Sequence, residues 1–342
     1  MRPEARRDPA ALARFACHGY YVLFGAVGLG LLPSLIRRFE QAYSLKHAQM
    51  GMLLGVGGLL FAAGCLIGGY VGDRFGQRGV LSGAMLLCGV GAAALFAAPS
   101  TGWFVAALLA FYFANGLGQV VNATISHLDR ANRTRGLNLL HGFQGAGRLA
   151  APLLVLACVR VTGRWEVVFL LSAGLFAVWT GLFPAALPAR TAGVEDERFH
   201  LRAAGRLLRD RRVLAAVAAY VFLSGGEIAW FLWVPNYLET TVLTFGETMV
   251  ALGCMMVGLT AARLAMGVRG GVWRPWRIAV SAVATVAIYL ALRSGLAAPW
   301  IWVSSALLGA AVSTWWPSTA ALLFDAVPAG HGTLIGLCNV ST

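Results

Sequence analysis

Negative charge is the scarcest thing in this sequence. Asp and Glu number 14 against 27 Lys and Arg, and charged residues of both signs make up 12% of the 342. Soluble domains devote about a quarter of their residues to charge. A water-soluble globule of this size is therefore excluded, because it would have too little polar material to cover its surface. Cysteine is sparse too. Cys17, Cys65, Cys88, Cys158, Cys254 and Cys338 lie singly in apolar surroundings without CxxC spacing. That pattern argues against a disulfide frame or a metal site and reads as small buried apolar side chains. No nucleophile motif, metal-ligand cluster or phosphate loop occurs, so the expectation is a protein that is not an enzyme and uses no cofactor.

What the chain has in abundance is apolar sequence: 58% of residues are hydrophobic and the mean hydropathy is +0.72. A bilayer is the solvent that suits it, and crossing the hydrocarbon takes roughly 20 apolar residues per helix. Such segments read at 15–36, 50–72, 79–98, 103–126, 137–159, 166–187, 213–237, 246–268, 277–294 and 299–324. The expected fold class is an all-α polytopic membrane protein. Residues 1–188 carry six spans, 189–212 form a polar linker, and 213–342 carry four spans and the start of a fifth, ending at "GHGTLIGLCNVST".

The basic residues fall into alternate loops. Arg2, Arg6, Arg7 and Arg14 precede the first span, Arg74 and Arg78 follow the second, and Arg130, Arg133 and Arg135 follow the fourth. More crowd the stretch between 190 and 212, and Arg269, Arg274 and Arg277 follow the eighth span. The opposite loops hold Arg37, Arg38, Lys46, Arg160, Arg164 and Arg293. Positive residues accumulate on the cytoplasmic side, so the N-terminus and the linker are placed in the cytoplasm of a plasma or inner membrane. The same placement argues against a nucleic-acid partner despite a net charge of +13. The first apolar segment is long enough to span and lacks a cleavage site, so it reads as retained. Phe199, Leu201, Leu207 and Leu208 among the linker arginines fit an amphipathic helix on the inner leaflet, or equally a solvated linker.

Between the second and third spans stands "GGYVGDRFGQRG" (68–79), with five glycines, an acid and two arginines in twelve residues. Glycines permit a tight turn between two rods. An acid there can face the positive end of a neighbouring helix, while the arginines seek carboxylates or anionic lipid. The stretch reads either as a releasable latch or as a plain hydrophilic turn. "AMGVRGGVWRPWR" follows the eighth span at the corresponding place, as in an internally duplicated transporter.

The pattern Gly69-x-x-x-Asp73-Arg74-x-Gly76-x-Arg78 resembles the loop 2–3 signature of the major facilitator superfamily, GxxxDRxGRR, with Gln77 in place of one arginine. "LNLLHGFQGAGRLAAPLL" (137–154), with Asn138, His141, Gly142, Gly145 and Pro152, is similar to the fifth span of the fucose/glucose/galactose permease-like branch. "GEIAWFLWVPNYL" (226–238) and "LLGAAVSTWWPSTAALLFDAVP" resemble that branch's seventh and tenth spans. The resemblance implies two six-helix bundles, alternating access and a central site between them, here cut short within the eleventh helix. The branch's acids in spans 1 and 4 have no counterpart in "GAVGLGLLPSL" or "ANGLGQVVNAT".

Ionisable groups inside a membrane usually face a cavity or a partner; here they are His18, His141, Arg148, Glu227 and Arg263. Burial penalises the charged carboxylate of Glu227, which suits it to take up a proton on one side and release it on the other. The alternative is a structural carboxylate paired with a neighbouring arginine. Asn138, His141 and Gln144 recur at i+3 on one face, suited to the hydroxyls of a sugar or polyol, or to interhelical hydrogen bonding. Arg148 continues that face and could pair with an acid, hold an anionic substrate or simply approach the interface, whereas Arg263 reads as snorkelling to the interface. Trp230 and Trp233 offer ring faces to a sugar, or belong to an aromatic belt at the interface; Asn115, Gln119 and Asn122 make a polar face on span 4; Trp315, Trp316 and Pro317 are candidates for a gate or cavity wall, or for plain packing. The expected function is secondary transport of a small polar solute, sugar-like, with protons as the coupling partner. The alternatives are a drug or metabolite exporter and a truncated, non-transporting membrane protein.

Overall fold

Backbone polar groups in hydrocarbon can be satisfied only within the segment that carries them, and a helix does this with local bonds alone. The computed structural model describes residues 9–129, 133–188, 211–269, 275–294, 296–313 and 315, and among these the regular structure is helical. The chain begins with α1 (Pro9–Leu23), runs through a π-helical stretch (Phe24–Gly30) and continues as α2 (Leu31–Ala42), forming one rod. Next come α3 (His47–Phe75), α4 (Gln77–Phe96) and α5 (Thr101–Leu117), which passes through a 3₁₀ turn (Gly118–Val120) into α6 (Val121–Leu128). Then follow α7 (Arg133–Thr162), α8 (Val167–Ala186), α9 (Arg211–Thr241), α10 (Phe245–Arg269), α11 (Pro275–Arg293) and α12 (Ala298–Val312).

Among the described residues, 8 helices are long and apolar enough to cross a membrane, and Ile278–Arg293 and Pro299–Val312 are shorter apolar helices. Each expected span coincides with one of these rods. The first is longer than its hydropathy implied, because Arg37, Arg38 and Glu40 belong to the helix. The linker up to residue 210, Trp316 and Pro317, the rest of the tenth span and the start of the eleventh lie outside the described residues.

Rod ends follow from sequence. Thr244 and Glu247 form a capping box at the start of α10: the Thr244 amide and hydroxyl donate to Glu247 Oε2 (2.9 and 2.8 Å), and the Glu247 amide donates back to Thr244 Oγ1 (3.4 Å). Gly76 alone joins α3 to α4, with φ of 96°, a region where a side chain would be strained. Outward faces are apolar, with Met52, Phe75, Val161, Phe222 and Val283 exposed. A contiguous surface of that kind fits lipid and is foreign to a monomer in water.

Two apolar cores form. One gathers buried residues from α1 to α8, including Tyr20, Tyr21, Phe39, Phe104 and Phe176; the other gathers Phe231, Met255, Leu259, Ile301 and Leu308 from α9, α10 and α12. Within the first, α4 packs on α8 and α5, α3 on α5, and α7 on α1 and the π-helical stretch; within the second, α10 packs on α12. The cores meet where α7 lies along α10 and α2 touches α9. Close approach makes this possible. A Cβ on Gly147 would strike the Val22 carbonyl of α1, one on Gly25 the Gln144 carbonyl, and one on Gly145 the Thr260 hydroxyl of α10. α7 therefore runs between its two neighbours with little side-chain padding on either line of contact.

Candidate functional site

Helical periodicity builds the site. On α9, Ser224, Glu227, Ile228 and Phe231 are spaced i, i+3, i+4 and i+7, so they share one face. On α7, His141, Gln144 and Arg148 do the same. The two faces meet, and α10 contributes Arg263 between them. Arg263 Nη2 donates to Glu227 Oε1 at 2.7 Å and Arg148 Nη1 donates to the same oxygen at 3.2 Å. Exposure of the three residues is 2% for Arg263, 3% for Glu227 and 6% for Arg148. Arg263 also holds the Ser313 carbonyl through Nε (2.8 Å) and Gln144 Oε1 through Nη1 (3.4 Å). This corrects the snorkelling expected of Arg263: it points inward because a carboxylate and a helix-end carbonyl await it there. The arginine partner weighed for Glu227 exists twice over.

The cluster continues along α7 and α1. His141 Nδ1 lies 3.3 Å from Gln144 Oε1, and its ring meets Tyr21 edge-on at 5.2 Å. Tyr21 donates to Gln119 Oε1 (2.9 Å) and accepts from Asn122 Nδ2 (2.6 Å). Irregular backbone brackets this group, with Gln119 in the 3₁₀ turn and Phe24 opening the π-helical stretch. Such departures from the α-helix recur at functional sites. Several polar atoms are left over. Glu227 Oε2, Asn115 Oδ1, Asn122 Oδ1, Ser224 Oγ and Arg148 Nε are buried without a partner among the described residues.

Two chambers open on this cluster. The polar one is lined by Phe24, Leu29, Phe61, Gln119, His141, Gln144, Arg148, Ser224, Glu227, Ile228 and Arg263 and holds about 480 Å³ of empty space, part of it open to the outside. The apolar one is lined by Gly28, Leu29, Leu32, Leu54, Gly58, Phe61, Phe111, Tyr112, Asn115, Arg148, Ile228, Phe231 and Leu232 and holds about 750 Å³ on the same basis. Arg148 belongs to both, with its guanidinium 4.7 Å from the Phe231 ring centroid.

Of the residues singled out in the sequence, His141, Gln144, Gln119 and Glu227 come together around the polar chamber. Asn122 stands behind them, fully buried on Tyr21 and Gln119. Trp230 and Trp233 do not join: Trp230 packs edge-on to Tyr289 at 4.7 Å and Trp233 edge-on to His47 at 4.6 Å. The backbone of Asn138 lies on α7 and that of Asp73 near the end of α3, but their side chains are outside the described set. Gly69 lies in α3, Arg74 near its end donates to the Tyr70 hydroxyl at 3.1 Å, and Arg78 opens α4 beyond Gly76. Tyr21 and Phe231 were not foreseen. Phe231 was discoverable as the residue four beyond Glu227, whereas a tyrosine within the first span gave no signal of its own.

At the end of the molecule opposite the Gly76 turn, side chains bridge the two cores. Arg37 donates to the Glu239 carbonyl at 3.0 Å and lies 3.7 Å from its carboxylate. Arg38 sits 4.5 Å over the Phe245 ring.

The sequence profile of the Major Facilitator Superfamily matches residues 17–342. The chain is 28% identical over 172 residues to the niacin transporter NiaP of Acinetobacter baylyi, covering 48% of this chain and 38% of that protein. It is 27% identical over 249 residues to the multidrug resistance protein MdtH of Aeromonas hydrophila, covering 69% and 58%. The chain thus spans well under two thirds of the length of these relatives. A crystal structure of the E. coli fucose:proton symporter FucP is similar in fold, with a TM-score of 0.67 at 18% identity over 97% of this chain and 88% of that one.

Proposed function

Because the chain belongs to the Major Facilitator Superfamily, we propose that it is a multi-pass membrane carrier that moves a small polar solute by alternating access, coupled to a proton on Glu227. The observation that carries this reading is the bridge made by one buried carboxylate. Glu227 and Arg263 belong to the side of the second core and Arg148 to the side of the first. When two bundles rock about a central cavity, the 2.7 Å pair within one side can persist while the 3.2 Å pair across the divide must part. A proton on Glu227 removes the charge that holds the divide closed, so protonation and rocking favour each other.

In this reading residues 1–188 and 213–342 are the two bundles, and 189–212 are a cytoplasmic linker. The N-terminus is cytoplasmic, and Gly69, Asp73, Arg74, Gly76 and Arg78 form a latch at the cytoplasmic end. The two apolar cores support the division. His141, Gln144, Gln119 and Asn122 line or brace the solute site, with Asn138 on the same helix. A sugar-like solute is the second reading, favoured by the hydrogen-bonding stripe of His141 and Gln144 beside Gln119.

The test is uptake into proteoliposomes holding the full chain, with a panel of sugars, polyols and organic acids, with and without an inward proton gradient. Gradient-driven accumulation of at least one solute is expected. Glu227→Ala should abolish accumulation while leaving downhill exchange; accumulation unchanged in that variant would remove Glu227 from the coupling role.

A further inference from the structure

We propose that the solute is a small organic monoanion with an apolar body, its carboxylate or sulfonate head held by Arg148 and Arg263 in the place that ionised Glu227 occupies here. This rests on the carrier reading above and adds the chemical class of its cargo. Three independent features lead to it.

The first is charge. Two guanidinium groups are nearly inaccessible, and Glu227 is the single acid among the described lining residues of both chambers. An unmatched positive charge in a low-dielectric interior is costly unless something anionic completes it. The charged and titratable groups around Glu227 are Arg148 and His141 from α7, Arg263 from α10 and Tyr21 from α1. From α2, Arg37 reaches only Glu239, three turns further along α9.

The second is the way the bonds are spent. Both arginines address the same oxygen, Glu227 Oε1, while Oε2 and Arg148 Nε are left buried without partners. A guanidinium presents a fork that suits two carboxylate oxygens. Glu227 Oε1 takes Nη1 of Arg148, and the buried Nε of the same guanidinium has no partner among the described residues. An incoming oxyanion can use the donor that Glu227 leaves idle.

The third is what lies next to the fork. Arg148 is shared between the polar chamber and one walled by Leu32, Leu54, Phe111, Tyr112 and Phe231. Ligand pockets typically pair mostly apolar walls with a few fixed polar groups, and this chamber sets Arg148 against such walls. A sugar would bury most of its hydroxyls unpaired there, at a cost, since besides Arg148 the polar groups of the lining are Asn115 and Tyr112. A ring or short chain would not.

Charge balance then couples the two cargoes. One proton from solution goes to Glu227, its carboxyl becomes neutral and releases both arginines, and the anion takes them over. Proton and anion enter together, and the loaded site carries the same net charge as the empty one.

The experiment uses the purified full-length chain and follows tryptophan fluorescence and calorimetry with benzoate, benzenesulfonate, benzamide and L-fucose as probes. The two acids are expected to bind saturably and benzamide and fucose at least tenfold more weakly. Benzoate stays ionised from pH 6 to 8, so its affinity should rise as pH falls, by up to about tenfold per pH unit where one proton is taken up per anion bound. Calorimetry in buffers of differing ionisation heat counts that proton directly. Glu227→Gln should bind benzoate at pH 8 at least as tightly as the parent does at pH 6, with the pH dependence gone. Equal binding of acid and amide, displacement of benzoate by fucose, no saturable binding of either acid, or weaker benzoate binding by Glu227→Gln each overturns the proposal. The carrier reading is judged separately by uptake: acids that bind with the stated preferences but never accumulate in vesicles would sink that reading and leave the anion site standing.

Discussion

Two ion pairs of the same chemical type lie on α9, and their surroundings make them different devices. At the rim, Arg37 and Glu239 stand 3.7 Å apart with side chains 37% and 12% exposed. At the centre, Arg263 and Glu227 stand 2.7 Å apart with side chains 2% and 4% exposed. Exposed pairs contribute about 0–1 kcal/mol because water competes for both partners. Removing one member of a buried pair costs about 3–5 kcal/mol because the survivor is left charged without solvent. The rim pair can open and close at little expense. The central pair can part only if a proton or another anion replaces what is lost.

The largest effect that sharpens this contrast should come from Glu227→Ala, which strands two buried guanidinium groups. Unfolding in detergent is expected to become easier by about 3–5 kcal/mol, read as a drop in the thermal midpoint, alongside lost gradient-driven uptake. A fall no larger than that of a rim variant would mean that water reaches the centre freely. Gly147→Val should come second. Its side chain would meet the Val22 carbonyl across the α1–α7 contact, and overpacking of this kind costs about 1–3 kcal/mol. The helices should part at that line, which spin labels on α1 and α7 would report as a longer separation; an unchanged distance would show that the seam has slack. The smallest effect belongs to Arg37→Ala, expected to change stability by about 1 kcal/mol or less. It should nonetheless raise labelling of a cysteine placed at Leu54, in the apolar chamber, by a reagent added from the rim side. Labelling that stays the same would assign closure of that end to Arg38 and Phe245.

The rods were legible because lipid imposes a length and an apolar composition on each, and the sequence can meet both only in one way. Glu227 was legible for a similar reason: a lone acid deep in an apolar run demands an explanation. Arg263 was not, since six residues from the end of α10 a long cationic side chain ordinarily reaches for water. Only the placement of Ser313 and Glu227 on other helices turns it inward. Trp230 and Trp233 show the limit of reading residue type without direction. Successive helical residues turn by about 100°, which carries Trp233 away from the face of Glu227, while Phe231, one turn on, remains beside Arg148. The π-helical stretch had no local signature either: Phe24–Gly30 reads as ordinary apolar span, and Gly25 within it lies close against α7.

That bare seam has a mechanical consequence. A rod that touches its neighbours along glycines meets smooth cylinders on both sides, so it can roll or slip a little without first unlocking interleaved teeth. The guanidinium of Arg148 rides on this axle, one residue beyond Gly147. A small roll of the axle would swing the cation away from the oxygen it grips, a change of electrical partner at the heart of the protein.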